Sequence, residues 1–253
     1  MGILVTKSMT KHFGGVKALE NVDLDIEKGT VHGLIGPNGS GKTTTFNVIS
    51  GVYAPTSGQI IFDGEDITGM KPYQIADKGM ARTFQIPKTM GKLTVLDNVM
   101  SGRYGKTKTD ILGTFFHAPF TKSKQERAIE EKSMELLRFV GLEEKAHRMA
   151  GELAWADQHL LQIARAMATE PKLLLLDEPT SGMGMEESEK MEETIAHIKS
   201  QGVTIILIAH DVKLVTRTSD RVTAIHFGVK IAEGTPEEVK NNPKVVEAYL
   251  GTD

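Results

Sequence analysis

Hydrophobic and polar positions alternate along the first 65 residues as they do in half-buried strands. This alternation predicts strands over residues 6–12, 16–26, 30–35 and 59–63, separated by turns that carry glycine or charge. From residue 172 onward, apolar runs predict strands at 173–177, 203–209 and 222–226, and helical spacing predicts helices at 186–200 and 212–218. This alternation of strand and helix is typical of a parallel sheet covered by helices.

Between these two parts, apolar residues recur at intervals of three and four, which predicts helices over 94–103, 123–140 and 157–168. Pro171 ends the last of them. The stretch 106–121 has no regular period and is predicted to be a surface loop or a docking element. The sequence therefore predicts a helical domain over 86–171, inserted into a core formed by 1–85 and 172–253.

Composition narrows the classes of function. The net charge of −3, with both signs interspersed, gives no broad basic surface and indicates no nucleic-acid partner. The absence of cysteine excludes disulfides and cysteine-based zinc sites. No apolar run approaches the length of a membrane span, and the first residues lack the pattern of a secretory signal, so we expect the chain not to cross a bilayer by itself.

The run over 36–44 matches the phosphate-loop pattern G-x-x-x-x-G-K-[ST], with an apolar strand before it and a predicted helix after it. The loop backbone and the helix N-terminus favour a triphosphate; Lys42 is predicted to reach its β- and γ-phosphates, and Thr43 to ligate Mg²⁺. A glycine-rich turn that matches by chance is the alternative, and the flanking strand and helix disfavour it. The predicted nucleotide-binding residues of this run are Gly36, Asn38, Gly39, Ser40, Gly41, Lys42, Thr43 and Thr44.

Two carboxylates follow the apolar strand at 173–176. Ligands bind at the carboxyl ends of strands in such sheets, so Asp177 is predicted to hold Mg²⁺ through water, opposite Thr43. Glu178 is predicted to orient or deprotonate the attacking water. A strand that ends in a solvated acidic turn is the alternative when this run is taken alone.

Two further polar residues follow predicted strands. His210 comes after the strand at 203–209 and is predicted to contact the γ-phosphate and hold the attacking water in line. Gln85 follows a short strand at 80–84 and is predicted to reach the metal and sense the γ-phosphate. Taken alone, a histidine at position 210 is more often a capping or packing residue, and the alternative for Gln85 is an exposed polar residue.

These elements in this order resemble the ATP-binding subunit of ABC transporters over essentially the whole chain. The resemblance implies an α/β fold: a P-loop NTPase (RecA-like) core with an antiparallel β subdomain and an inserted α-helical subdomain. It also implies that Phe13 stacks on adenine, that Lys42, Glu178 and His210 are catalytic, and that Gln85 is a metal ligand with Thr43 and Asp177. The runs at 13–19, 81–85 and 248–251 resemble the branched-chain amino acid branch of the family.

The chain departs from the family at the signature motif, Leu-Ser-Gly-Gly-Gln or a close variant, which binds the γ-phosphate held by the partner in a head-to-tail dimer. The run here is Leu153-Ala154-Trp155-Ala156-Asp157-Gln158, so Ala154 replaces the serine hydroxyl and Ala156 adds a methyl group where glycine is usual. The D-loop of the family corresponds here to Ser181-Gly182-Met183-Gly184, in which Gly184 stands where an Asp or Asn is usual. We therefore expect a heterodimer, with a second ATP-binding subunit that supplies an intact motif; tolerated sequence drift is the alternative.

The predicted function is an ATP-binding and ATP-hydrolysing subunit that uses ATP and Mg²⁺ to power an ABC importer, for branched-chain or related amino acids by resemblance. The expected partners are a second ATP-binding subunit and transmembrane permease subunits, through which alone the chain contacts the membrane. The expected location is cytoplasmic, peripheral on the cytoplasmic face of the inner membrane. The alternatives are a soluble ABC ATPase outside transport and a regulatory nucleotide-binding module with little turnover.

Overall fold

The computed structural model describes residues 2–104, 124–209 and 212–250. In these ranges the chain forms ten strands: β1 Leu4–Phe13, β2 Val16–Ile26, β3 Val31–Ile35, β4 Ser57–Phe62, β5 Glu65–Asp66, β6 Met80–Arg82, β7 Leu173–Asp177, β8 Thr204–Ile208, β9 Arg221–His226 and β10 Val229–Gly234. The helices described are α1 Lys42–Ile49, α2 Pro72–Asp77, α3 Val95–Tyr104, α4 Lys124–Phe139, α5 Trp155–Met167, α6 Met185–Ser200, α7 Val212–Thr218, α8 Pro236–Lys240 and α9 Pro243–Leu250.

The larger sheet has six strands in the order β10-β9-β3-β8-β7-β6. Its neighbouring strands run parallel, except for the antiparallel edge pair β9 and β10. Strands β3, β7 and β8 are buried at every residue, as strands covered on both faces must be. Their carboxyl ends meet at one edge of the sheet, which brings the residues that follow β3 and β7 together.

A second sheet is antiparallel, in the order β2-β1-β4-β5. Leu4 in β1 pairs with Ile26 on one side and with Phe62 on the other, and all three side chains are buried. The alternation of buried and exposed residues along β2 explains why its sequence predicted a strand. The predicted α/β fold class, with a parallel and an antiparallel sheet, is confirmed.

The chain divides into two compact units. The first comprises residues 1–85, 172–181 and 188–253, and its core includes the fully buried Phe46 and Phe62. The second comprises residues 86–171 and 182–187; within it α3 packs against α4 and α5, around side chains that include Val99, Leu137 and Leu161. Among the helices described, none is both long enough and apolar enough to span a membrane.

Among the strands and α-helices described, five have no counterpart in the sequence prediction: β5, β10, α2, α8 and α9. Helix α2 has six residues and α8 has five, too few to show a helical period, and each begins at a proline. At the start of α8, Thr235 Oγ accepts a hydrogen bond from the Glu238 amide and Glu238 accepts one from the Thr235 amide, which is a capping box. At the start of α2, the Lys71 amide donates to Gln74 Oε1. The proline at the first helical position, and in α8 the capping box, are the signals from which these two helices could have been predicted. The predicted loop at 106–121 and His210 lie outside the described residues.

Buried histidine makes the first unit sensitive to acid. His32 in β3 is 1% exposed, and its Nε2 lies 2.8 Å from the Thr223 hydroxyl in β9. Burial lowers the pKa of His32 to about 4. In the unfolded chain this imidazole is protonated below about pH 6.5, whereas in the folded chain it is protonated only below about pH 4. The free energy of unfolding therefore decreases as the pH falls from about 6.5 to about 4.

We expect the free energy of unfolding to fall by about 3 kcal/mol from this histidine between pH 7.5 and pH 4, at a rate of up to ~1.4 kcal/mol per pH unit. Urea unfolding at half-unit steps of pH measures this slope. In His32→Gln the slope should decrease by about one proton equivalent, whereas the same substitution at the exposed His147 serves as the control. Equal slopes in the wild type and His32→Gln would contradict the prediction.

Candidate functional site

The loop between β3 and α1 is fixed by its backbone. Gly41, the N-cap residue of α1, has φ 109°, and a Cβ there would lie 2.9 Å from the Ala18 carbonyl oxygen. A side chain is therefore excluded on both conformational and steric grounds. The N-cap makes no side-chain hydrogen bond to α1, so the first N–H groups of the helix stay available to an anion at this end.

Lys42 carries its charge inside this loop. The side chain is 5% exposed, and Nζ donates hydrogen bonds to the carbonyl oxygens of Gly36, at 2.7 Å, and Pro37, at 3.0 Å. Burial lowers the pKa of Lys42, while the carboxylates of Glu178 and Asp177 act in the opposite direction. The arrangement places a cation at the helix N-terminus, where phosphate oxygens are favoured.

Asp177, at the end of β7, is held by an arginine that the sequence analysis did not single out. Arg82 Nη2 lies 2.8 Å from Asp177 Oδ2, and the two side chains are only 9% and 5% exposed. Arg82 Nη1 donates to Asn47 Oδ1 at 2.6 Å and to Ser50 Oγ at 3.1 Å, both at the C-terminal end of the α1 segment. The guanidinium also lies 5.2 Å from the centroid of the Phe84 ring. A charged residue inside the strand predicted at 80–84 was the available signal in the sequence.

Glu178 and Gln85 are brought together at the same sheet edge. Gln85 Nε2 donates to Glu178 Oε2 at 2.8 Å. Glu178 has φ 49°, and its amide donates to the Ile208 carbonyl at the end of β8, at 2.9 Å. The left-handed backbone turns the chain sharply directly after β7, and residues held this way concentrate at functional sites.

One cavity of about 590 Å³ collects most of the predicted residues. Its lining comprises Val16, Lys17, Ala18, Asn38, Gly39, Ser40, Gly41, Lys42, Thr43, Thr44, Gln85, Glu178, Phe227 and Gly228. Of these, the residues at 16–18 and 227–228 were not predicted as site residues. The volume and the mixed lining are those of a small-molecule site.

Phe13 does not belong to this lining. Its ring packs edge-on against Tyr53, with centroids 5.1 Å apart, and Lys11 Nζ lies 4.9 Å from its centroid. The side chain is 41% exposed, at the end of β1. The adenine-stacking role of Phe13 stays a prediction.

The oxygen atoms of the site are suitable ligands for a hard cation bound together with phosphates. The cavity offers the Thr43 hydroxyl, the Gln85 amide oxygen and the Glu178 carboxylate, and Asp177 stands at the neighbouring position. These are oxygen ligands, which Mg²⁺ prefers, and Mg²⁺ usually takes only one or two of them from the protein. Across the described residues there is no cluster of three or more His, Cys, Asp or Glu side chains that could hold a metal by itself.

The C-terminal helix also reaches the loop. The Tyr249 hydroxyl in α9 interacts with the Gly36 backbone, and burial raises its pKa. Tyr249, which belongs to the run at 248–251 that resembles the branched-chain amino acid branch, therefore lies beside the first residue of the phosphate loop.

The altered signature run begins helix α5 in the second unit. Ala154 is the N-cap of α5 and makes no side-chain capping bond, while Trp155 is 43% exposed with its ring edge-on to His159, at 5.2 Å between centroids. Trp155 also approaches the D-loop, because a Cβ on Gly182 would lie 3.3 Å from its Nε1. The helix N-terminus thus presents backbone N–H groups without the usual hydroxyl.

Two protein families match parts of the chain. The family described as ABC transporter matches residues 19–181, and the family described as branched-chain amino acid ATP-binding cassette transporter matches residues 229–253. The chain is 41% identical over 250 residues to the high-affinity branched-chain amino acid transport ATP-binding protein BraF of Pseudomonas aeruginosa, covering 98% of each chain. It is 39% identical over 252 residues to the probable branched-chain amino acid transport ATP-binding protein LivG of Archaeoglobus fulgidus, covering 99% of this chain and 96% of the relative.

Solved structures agree with the sequence relatives. An ATP-binding cassette of an ABC transporter in its ADP conformation superposes with a TM-score of 0.86, at 34% identity and full coverage of both chains. A dimeric cassette in a post-hydrolysis state, bound to ADP and phosphate, superposes with a TM-score of 0.75 at 25% identity, covering 92% of this chain and 98% of that one.

Proposed function

This chain belongs to the ABC transporter family of ATP-binding cassettes, and from that premise we propose that it powers an importer of branched-chain or related amino acids. The relatives that carry this name in their descriptions match it over nearly its whole length. The single observation that carries the proposal is the cavity in which the phosphate loop, Gln85 and Glu178 meet. The cargo is assigned by family likeness, since a cassette need not touch what it moves.

In the proposed reaction, this chain's residues bind the triphosphate and activate water. Lys42 exchanges its contacts with the loop carbonyls for phosphate oxygens, with the N–H groups at the start of α1 beside it. Glu178 takes the proton of the attacking water, and Gln85 holds the Glu178 carboxylate in place through its hydrogen bond. His210 contacts the γ-phosphate and keeps the water in line.

Mg²⁺ would be held by Thr43 and Gln85, with Asp177 acting through water; when bound, it neutralises charge on the phosphates. Gly36, Asn38, Gly39, Ser40, Gly41 and Thr44 complete the nucleotide contacts, and Phe13 stacks on adenine. Arg82 is a positioning residue, because it fixes the Asp177 carboxylate at the metal side of the site.

We propose that ATP is sandwiched in a head-to-tail heterodimer. The residues that hydrolyse ATP on this chain are intact, whereas the run it offers a partner lacks the serine hydroxyl at Ala154 and carries a methyl group at Ala156. A lost charge-assisted hydrogen bond costs about 1.5–3 kcal/mol. A partner cassette with an intact signature motif would complete the site built around Lys42 and Glu178.

The remaining partners are transmembrane permease subunits, which tie the chain to the cytoplasmic face of the membrane. The helical domain over 86–171 and the loop at Gln85 are proposed to pass movement to the permease. ATP binding then closes the pair of cassettes, and release of phosphate reopens it.

Steady-state ATP hydrolysis by the purified chain, alone and mixed with a cassette that carries an intact signature motif, tests this proposal. We expect slow turnover alone and a rise of about tenfold or more on mixing, because one phosphate hydrogen bond of this type corresponds to roughly a factor of ten. The double variant Ala154→Ser/Ala156→Gly should raise the rate of the chain alone. Ala196→Gly, on the exposed face of α6, is the control. Fast turnover by the wild-type chain alone would refute the heterodimer.

A further inference from the structure

The turn between β9 and β10 contains an aromatic residue in an unfavourable conformation. Phe227 and Gly228 form the two-residue loop of this hairpin, with φ of 44° and 76°. Positive φ at both positions is the type I′ geometry, which favours Asn-Gly and penalises a bulky first residue. A side chain kept in such a backbone conformation points to a functional constraint.

The position of this turn is fixed by its neighbours. The Gly228 amide donates to the Ser40 carbonyl in the phosphate loop at 2.8 Å, and the Glu20 amide donates to the Gly228 carbonyl at 2.8 Å. A Cβ at Gly228 would lie 2.6 Å from the Ala18 carbonyl oxygen, so only glycine allows this approach. Phe227 is therefore held at a set place beside the phosphate loop.

The Phe227 side chain is largely exposed to solvent. It is 79% exposed, and among the described residues its ring contacts that of the adjacent His226, at 4.2 Å between centroids. It lines the 590 Å³ cavity together with Val16, which is 66% exposed. Two exposed apolar side chains of this size are buried when an apolar ligand surface covers them.

We propose that Phe227, together with Val16, contacts the nucleoside part of the bound nucleotide. The inference rests on the proposed function, since it takes the phosphate loop to hold the triphosphate. In that function Lys42 binds phosphate oxygens and Thr43 binds the cation. Phosphate oxygens have no apolar surface that could cover the Phe227 ring. The base and ribose are the parts of ATP that offer an apolar face, and aromatic rings stack on bases.

The test compares two ligands that share the phosphates but not the nucleoside. Calorimetric titration without Mg²⁺ gives Kd for ATP and for inorganic tripolyphosphate, in the wild type and in Phe227→Asn. Asparagine suits the first position of a type I′ turn, so the hairpin is retained. We expect Phe227→Asn to weaken ATP about tenfold and to leave tripolyphosphate unchanged, and Phe227→Tyr to bind both like the wild type.

Tyr73→Asn is the matched control, because this side chain is also aromatic and 68% exposed but lies in α2, outside the cavity lining. The inference is overturned if Phe227→Asn binds ATP like the wild type, or if it weakens both ligands equally. It is also overturned if ATP affinity holds while ATP-dependent dimerisation in sedimentation is lost, which would assign Phe227 to a partner surface. A wild-type chain that binds no ATP would refute the proposed function itself.

Discussion

Replacing Glu178 with glutamine should slow ATP hydrolysis by about 10²–10⁴-fold while nucleotide binding persists. Glutamine keeps the shape of the side chain and an oxygen that accepts the 2.8 Å hydrogen bond from Gln85 Nε2, but it cannot take a proton from water. A positioned general base contributes about 10²–10⁴-fold to such reactions. We therefore expect the rate of ATP hydrolysis to fall by about that factor, with Kd for ATP changed less than about threefold, a shift of under 1 kcal/mol.

Phosphate release measured in the more active of the two preparations, the chain alone or the mixture with a second cassette, gives the rate. Titration calorimetry gives Kd. Glu193→Gln on the exposed face of α6 is the matched substitution and should turn over like the wild type. A loss of less than about tenfold in Glu178→Gln would remove Glu178 as the base, because it lies below the range expected for general-base catalysis.

The same variant separates the transport ATPase from a regulatory module with little turnover. An active parent and an inactive variant that retains ATP would exclude the module. A parent without measurable hydrolysis, even in the mixture, would favour it, and the intact carboxylate would then need another role.

The sequence predicts which candidate residues lie close together wherever a residue type and a strand end coincide. The phosphate loop follows β3, Glu178 follows β7, and the structure places both on one cavity with Gln85. Strand ends in a parallel sheet meet at one edge whatever the connecting segments do, so this grouping depends on local pattern alone.

Residues that reach the site from elsewhere could not be predicted in this way. Phe227 lies far along the chain from the phosphate loop, and pairing between β3 and β9 sets the hairpin beside it. Arg82 acts on Asp177 through the pairing of β6 with β7, in a strand of three residues. Both roles depend on strand order, which hydrophobic periodicity does not reveal.

Arg82→Met should destabilise the fold by more than the loss of one exposed ion pair would. The Arg82 guanidinium donates to three groups inside the protein: the Asp177 carboxylate, Asn47 Oδ1 and Ser50 Oγ. Removing one partner of a buried pair leaves the other charge uncompensated, at a cost of about 3–5 kcal/mol. We expect the free energy of unfolding, measured in urea, to fall by that amount.

The penalty arises from Asp177 as much as from Arg82, so neutralising both should restore stability. We expect Arg82→Met/Asp177→Asn to recover about half or more of the loss, since an amide is far less costly to bury than a carboxylate. Arg217→Met is the control within the same unit: its pair with Glu192 spans 3.8 Å with the arginine 57% exposed, so its removal should cost under about 1 kcal/mol. If Arg82→Met and Arg217→Met destabilise equally, Arg82 does not hold Asp177 through a buried charge. If Arg82→Met lowers the free energy of unfolding by several kcal/mol and adding Asp177→Asn does not restore it, Arg82 stabilises the fold through Asn47 and Ser50 instead. Both of these residues lie at the C-terminal end of α1, the helix that follows the phosphate loop.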